Sequence, residues 1–133
     1  MELLDNCPAC NDGRIKEDKQ RCIRVCEKCG LELDDKFSSI ISMIQRSGKA
    51  LNLSMLTQKS AVKIMISGKN IGLPVDIISA EDIAATTIYM AAIRTGERRT
   101  QADIAREVKT TPVAIHNGFK IFYKLLERQI ESL

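Results

Sequence analysis

Four cysteines, arranged as two equal pairs near the start of the sequence, constrain this chain of 133 residues more than any other feature. Cys7 and Cys10 form the first Cys-x-x-Cys pair, fifteen residues follow, and Cys26 and Cys29 form the second pair. Two such pairs hold four thiolates tetrahedrally around one metal ion, and the chain between them folds back as a short β-ribbon. We therefore expect a zinc ribbon in which these four residues are the ligands of one Zn²⁺.

The ligand set indicates a structural zinc ion. A catalytic zinc keeps one position open for water and usually has histidine or carboxylate ligands. Here all four expected ligands are thiolates, and the only histidine, His116, lies far along the chain. The fifth cysteine, Cys22, is either an alternative ligand or a side chain that packs or faces solvent. An odd number of clustered cysteines argues against a disulfide framework.

The charged residues divide unevenly between two parts of the chain, which we expect to be two domains. Residues 1–35 have 6 basic and 9 acidic side chains, whereas residues 36–133 have 14 basic and 8 acidic ones. A four-thiolate zinc centre adds a charge of about −2, so we expect the acidic ribbon to dock onto protein rather than phosphate. The basic part favours an anionic partner, usually nucleic acid, although a solvated lysine-rich surface explains the same charges.

Helical periodicity in the second part predicts five helices, which makes the protein mainly α. Ser54, Ser79 and Thr100 are suited to cap the second, third and fourth helices, and Pro112 is suited to the first turn of the fifth. The third helix is apolar or small on nearly every side over residues 83–93. A helix of this kind is expected at the centre of a bundle, surrounded by the others.

The last two predicted helices have the layout of a helix-turn-helix, with a short helix, a brief turn and a longer helix. The core stripe predicted for the longer helix consists of Ile115, Phe119, Phe122 and Leu126. At 100° per residue, polar side chains then point away from the core along the opposite face.

This polar face is a candidate surface for binding nucleic acid or a protein partner. Asn117 is placed to reach a base edge, and Lys120 and Lys124 are placed to neutralise phosphates. Arg98 and Arg99, just before the short helix, extend the candidate set. The alternative is a solvated polar face, which every amphipathic helix presents.

The sequence resembles transcription factor IIB and its archaeal counterpart, transcription factor B, in two stretches. The first is the ribbon, from Cys7 to Leu31. The second resembles the cyclin-like repeat of that family, which implies a cyclin-like five-helix domain after the ribbon. The residues that carry this second resemblance are Ser79, Ile83, Ala84, Ala85, Tyr89, Ala91, Ala92, Arg94, Gly96, Arg99, Thr100, Ile104, Ala105, Ile115, Asn117, Lys120 and Leu125.

The resemblance implies a transcription initiation factor and not an enzyme. Its implied partners are RNA polymerase, bound through the ribbon, together with promoter DNA, TATA-binding protein and the full-length factor B. Neither a membrane nor a small-molecule substrate is expected as a partner. The expected location is the cytoplasm of an archaeon, at the nucleoid, or the nucleus of a eukaryote.

Two departures from the family shape the expected function. Members have two cyclin-like repeats, and a long segment separates their ribbon from the first repeat, whereas here only a few residues lie between Leu33 and Phe37. We therefore expect a truncated paralogue that modulates initiation by the full-length factor, as an activator acting in trans. The alternatives are a competitor that blocks the full-length factor from polymerase, a free-standing helix-turn-helix repressor and a zinc enzyme.

Overall fold

The computed structural model of the protein describes residues 6–10 and 13–131, with side chains as far as Arg128. Residues 1–5, 11, 12, 132 and 133 lie outside the described residues, and with them the outer ends of both predicted domains. Over the described residues, a small antiparallel sheet is followed by five helices, which confirms the predicted fold class. No helix in this part of the chain is long and apolar enough to span a lipid bilayer.

The ribbon consists of three antiparallel strands in the order β1-β2-β3. Ile15 of the first strand lies opposite Cys26 of the second, and Arg24 of the second lies opposite Leu33 of the third. The turn between the first two strands is held by Asp18, whose carboxylate accepts hydrogen bonds from the backbone N–H groups of two following residues. The strands are β1 (Ile15–Asp18), β2 (Ile23–Cys26) and β3 (Glu32–Leu33).

Three of the five helices begin at the capping residues predicted for them, and the fifth begins at Pro112 as predicted. The side chains of Ser54, Ser79 and Thr100 each accept a hydrogen bond from the backbone N–H three residues further on, as predicted, and Asp34 does the same for the first helix. Gly96 ends the third helix in the left-handed conformation, with φ +80°. The helices are α1 (Asp35–Ala50), α2 (Met55–Asn70), α3 (Ala80–Thr95), α4 (Gln101–Val108) and α5 (Pro112–Glu131).

Helix α3 lies at the centre of the bundle, in contact with each of the other four helices, which confirms its predicted position. Its residues 83–88 are buried without a break. Small side chains on α3 and α5 let the helices approach closely: a Cβ added at Gly118 of α5 would lie 2.2 Å from the Thr86 hydroxyl oxygen of α3. Central placement follows because α3 is apolar or small on nearly every side over residues 83–93.

The predicted core stripe of α5 is confirmed in two of its four members. Ile115 and Phe122 are buried, but Phe119 is half-buried outside the core and Leu126 is 41% exposed. Leu125 packs against the core instead. The reason is Gly118, where α5 packs against Thr86 of α3 with no room for a side chain. A glycine adds no apolar side chain to a hydrophobic pattern, so the pattern does not show that the buried side is centred on it.

The ribbon joins the helices with almost no intervening chain. Strand β3 ends at Leu33 and α1 begins at Asp35, so that only the capping residue Asp34 lies between them. Leu33 is 1% exposed and belongs to the helical core. Lys36, at the start of α1, donates hydrogen bonds to the carbonyls of Val75 and Ile78 in the α2–α3 loop.

Candidate metal centre and partner-binding surfaces

The four predicted ligands converge on one point. The sulfur atoms of Cys7, Cys10, Cys26 and Cys29 all lie within 4.8 Å of one another. The Cys7 and Cys29 Sγ atoms are 3.6 Å apart, and those of Cys10 and Cys26 are 3.7 Å apart. Four sulfurs at the usual Zn–S bond length of about 2.3 Å in a tetrahedron lie about 3.8 Å from one another. The cluster is therefore positioned and spaced to bind a tetrahedral metal ion.

Backbone hydrogen bonds build the two turns that present the sulfurs. In the first turn, the Cys7 N–H donates to the Gly13 carbonyl at 2.8 Å, and the Gly13 N–H donates to Cys10 Sγ at 3.3 Å. In the second, the N–H groups of Lys28 and Cys29 each donate to Cys26 Sγ at 3.4 Å. Donors aimed at sulfur favour its thiolate form, which is the form that binds metal.

Two glycines are required by this geometry for different reasons. At Gly13, a Cβ would lie 2.0 Å from Cys26 Sγ and 3.2 Å from Cys10 Sγ, so a side chain would occupy the space of the sulfur cluster. At Gly30, φ is +78° and the space around a Cβ is open, so its need is for left-handed backbone alone. Gly13 therefore leaves room for the sulfur cluster, and Gly30 allows the backbone conformation that follows the second turn.

The thiols at the site differ in acidity because their surroundings differ. The N–H of Cys29, together with that of Lys28, lowers the pKa of Cys26 to about 6. Burial raises the pKa of Cys7 to about 12. Four thiolates this close together need a cation to offset their mutual repulsion. The donor set thus suits a thiophilic divalent ion.

The fifth cysteine lies apart from the cluster. Cys22 is exposed at the end of the β1–β2 turn with φ +55°, and its Sγ lies 3.8 Å from the Lys19 carbonyl oxygen. The group of side chains that can share a metal ion does not include it. Of the two alternatives that the sequence left open, the structure supports a solvent-facing side chain.

Helices α4 and α5 form the predicted pair with a tight turn. Lys109 ends α4 in the left-handed conformation, with φ +70°, and the Thr111 hydroxyl accepts a hydrogen bond from the Ala114 N–H at the start of α5. The Thr110 hydroxyl ties this turn to the Asp82 carboxylate of α3. The turn is therefore held to the centre of the bundle.

Three of the five candidate partner-binding residues share one exposed face of α5. Asn117, Lys120 and Lys124 are all exposed, at helical spacings of three and four. Arg98 is exposed in the α3–α4 loop. The neighbouring Arg99 is half-buried, and its guanidinium donates to the carbonyls of four residues, namely Leu51, Asn52, Glu97 and Arg98.

One carboxylate that the sequence does not single out binds the start of α2. Glu97 accepts hydrogen bonds from the N–H and the hydroxyl of Ser54 and from the hydroxyl of Thr57. Arg99 binds the carbonyls of the two residues that follow α1, so the α3–α4 loop places a negative charge at one helix start and a positive charge at one helix end. Both placements are favourable for the helix dipoles.

The pH dependence of stability tests this contact. The hydrogen bonds from Ser54 and Thr57 lower the pKa of Glu97 below its ordinary 4.5. Its stabilising effect is therefore complete above that value and is lost as the pH falls through the lower folded-state pKa. We expect Glu97→Gln to reduce the urea midpoint at neutral pH, and the gap from the native protein to shrink on acidification. The exposed Glu107→Gln is the control, and a gap independent of pH would contradict this role.

Comparison with known proteins places the chain in a family. A family model described as "Transcription factor TFIIB repeat" matches residues 33–125. The chain belongs to the TFIIB family. The family is one of transcription factors and not of enzymes.

Full-length relatives extend the similarity beyond the repeat. Transcription initiation factor IIB of Ignicoccus hospitalis is 35% identical over 122 residues, which cover 89% of this chain and 37% of that protein. The corresponding protein of Sulfurisphaera tokodaii is 33% identical over 88% of this chain, and factor IIB 1 of Thermoplasma volcanium is 34% identical over 77%. The few residues after 125 cannot supply that coverage, so the match to the Ignicoccus hospitalis protein includes part of the ribbon. The chain spans about a third of the length of these relatives.

Proposed function

We propose that this protein is a transcription initiation factor that binds RNA polymerase through its ribbon and modulates initiation by the full-length factor B. Family membership and similarity to archaeal initiation factors support the role in initiation. The net-acidic, metal-holding ribbon supports docking onto protein rather than DNA. Its location, by the same similarity, is the cytoplasm of an archaeal cell, at the nucleoid.

The proposal of a modulating role is carried by the short junction between the ribbon and the first helix. A single residue, Asp34, connects β3 to α1. The resemblance to factor B implies a long segment at that junction in the family, one that enters the polymerase and helps to open the promoter. Without such a segment, this protein acts beside the full-length factor, as an activator in trans.

We further propose that the ion held by the four cysteines is Zn²⁺. The spacing of the sulfurs fits the tetrahedral geometry of zinc with four thiolates, and a site with four protein ligands leaves no position for a reacting water. The ion, when bound, fixes the fold of the ribbon. Cys7, Cys10, Cys26 and Cys29 hold it, and the surface around them binds the partner.

For the helical domain we propose contact with promoter DNA or with TATA-binding protein through Asn117, Lys120 and Lys124, with Arg98 beside them. These side chains are exposed and basic or amide-bearing, which suits phosphates and base edges. Arg99, engaged with four carbonyls, serves this surface by holding the loop in place.

Charge reversal on α5 tests this surface. Lys120→Glu combined with Lys124→Glu should weaken promoter DNA binding. It should also make the fall of log affinity with log salt shallower, reducing the magnitude of its slope by about two, one for each phosphate contact. Both residues are exposed, so helical circular dichroism should be unchanged. Arg46→Glu with Lys49→Glu on α1 makes the same charge change elsewhere and is the control. An unchanged affinity and slope would identify this face of α5 as solvent surface.

A competitor that excludes the full-length factor is the second candidate, and the same short junction favours it. A ribbon that docks without the family's long segment would occupy the site and contribute nothing further. Binding to purified polymerase tests both candidates. We expect the metal-loaded protein to bind, and displacement by excess full-length factor would favour the competitor over the activator. No binding to polymerase would overturn the proposal.

A further inference from the structure

A groove of about 340 Å³ opens on the helical domain between α2, α3 and α5, away from the metal centre. Helices α2 and α5 meet beside it, where a Cβ added at Gly68 would lie 2.4 Å from a ring carbon of Phe122. The groove runs along the end of α2 from residue 63 to residue 71 just after it, which is about two helical turns or 12 Å. This length suits a short segment of a partner chain.

The groove is lined mainly by large apolar side chains, several of which remain accessible to water. Ile93 of α3 is 37% exposed and Leu126 of α5 is 41% exposed. Ile71, Met90 and Phe119 are half-buried along it. Accessible apolar side chains that adjoin one another in a concave surface are typical of a site that a partner covers.

The charges at the groove have one sign. Lys63 of α2 and Arg94 of α3 are its charged lining residues, and both are exposed. Helix α2 contains three basic side chains, Lys59, Lys63 and Lys69, and no acidic one. Among the described residues, neither Lys63 nor Arg94 is paired with a carboxylate. Both cations are available to an incoming anionic group.

We propose that this groove binds an acidic amphipathic helix of a partner protein. Large apolar side chains on one face of that helix would cover Ile93, Leu126 and the half-buried residues beside them. Carboxylates at the edge of the same face would pair with Lys63 and Arg94. An apolar stripe flanked by charge is how amphipathic helices bind grooves of this kind. The site involves neither the ribbon nor the polar face of α5, so it stands independently of the function proposed above.

Nucleic acid fits the groove less well than such a helix. Single-stranded nucleic acid binds along continuous rows of cations with free aromatic faces on which its bases stack. Here two cations flank a mainly aliphatic surface, and Phe122 is buried. The ring of Phe119 is already engaged, edge-on with Tyr89 at 5.9 Å between centroids and stacked with Tyr123 at 6.4 Å.

A peptide display library tests the proposal on the intact 133-residue chain loaded with zinc. Each peptide has leucines at helical positions i, i+3, i+4 and i+7, and its other positions are randomised among Glu, Gln and Lys. We expect the recovered peptides to be enriched in Glu over Lys. Their affinity is then measured by fluorescence anisotropy. Both the variant Ile93→Glu and the double variant Lys63→Glu with Arg94→Glu should bind these peptides at least about tenfold more weakly than the native chain does.

Two control variants and a competing single-stranded oligonucleotide complete the test. Val113→Glu changes an apolar residue that is 67% exposed on α5 outside the groove, and Arg46→Glu with Lys49→Glu repeats the double charge reversal on α1. Both should bind the selected peptides within about twofold of the native affinity. Recovery of no peptide, enrichment in Lys, or equal binding by the groove variants would overturn the proposal. So would displacement of the peptides by a single-stranded oligonucleotide.

Discussion

Changing Cys26 to Ser should abolish metal retention and unfold the ribbon, while the helices remain folded. Cys26 is buried, and its sulfur is held by two backbone N–H groups and faces the other three ligands. Metal binding to a structural site of this kind is worth about 10 kcal/mol or more, which is most of the folding free energy of so small a module. Zinc content by mass spectrometry and polymerase binding should both be lost, with helical circular dichroism largely kept.

The control for this change is Cys22→Ser. Cys22 is exposed and lies outside the metal cluster, so zinc content and polymerase binding should stay at native levels. A small loss of helical stability is expected in Cys26→Ser, because Leu33 at the end of the ribbon is part of the helical core. If Cys26→Ser bound polymerase as tightly as the native protein, the ribbon would not be the docking element.

A single methyl group at Gly13 should weaken zinc binding strongly. The added Cβ of Gly13→Ala would lie 2.0 Å from Cys26 Sγ, a distance at which one of the two must move. Moving that sulfur distorts the tetrahedron, and we expect zinc affinity, measured by competition with a chelator, to fall by at least about tenfold.

Gly30→Asn is the comparison for Gly13→Ala. Gly30 has a positive φ and open space around its Cβ, and asparagine tolerates left-handed backbone well. Zinc affinity should therefore stay near the native value. Equal affinities for Gly13→Ala and the native protein would show that the first turn can shift to make room.

Features of this protein that depend on neighbouring residues could be predicted from its sequence. The ligand set follows from the spacing within two Cys-x-x-Cys turns, and it is met by sulfurs 3.6 and 3.7 Å apart. Ser54 and Thr100 cap their helices because the hydrogen bond spans only three residues. The central position of α3 follows from its composition alone.

Features that depend on distant residues could not be predicted in this way. Glu97 binds Ser54 and Arg99 binds Leu51, pairs that are 43 and 48 residues apart in the chain. Nothing local marks Arg99 as a residue that holds a loop rather than a ligand. The sequence also did not predict which side of α5 is buried, with Leu125 rather than Leu126 against the core. That side is set by the contact between Gly118 and Thr86 of α3.

The central claim is that this protein modulates initiation through a factor that is already present. A reconstituted transcription assay with purified polymerase, TATA-binding protein and full-length factor B tests it most directly, with the native chain or Cys26→Ser titrated in. We predict that the native chain raises transcript yield only when the full-length factor is present, and that Cys26→Ser has no effect. A yield unchanged by the native chain, or one raised in the absence of the full-length factor, would contradict the account.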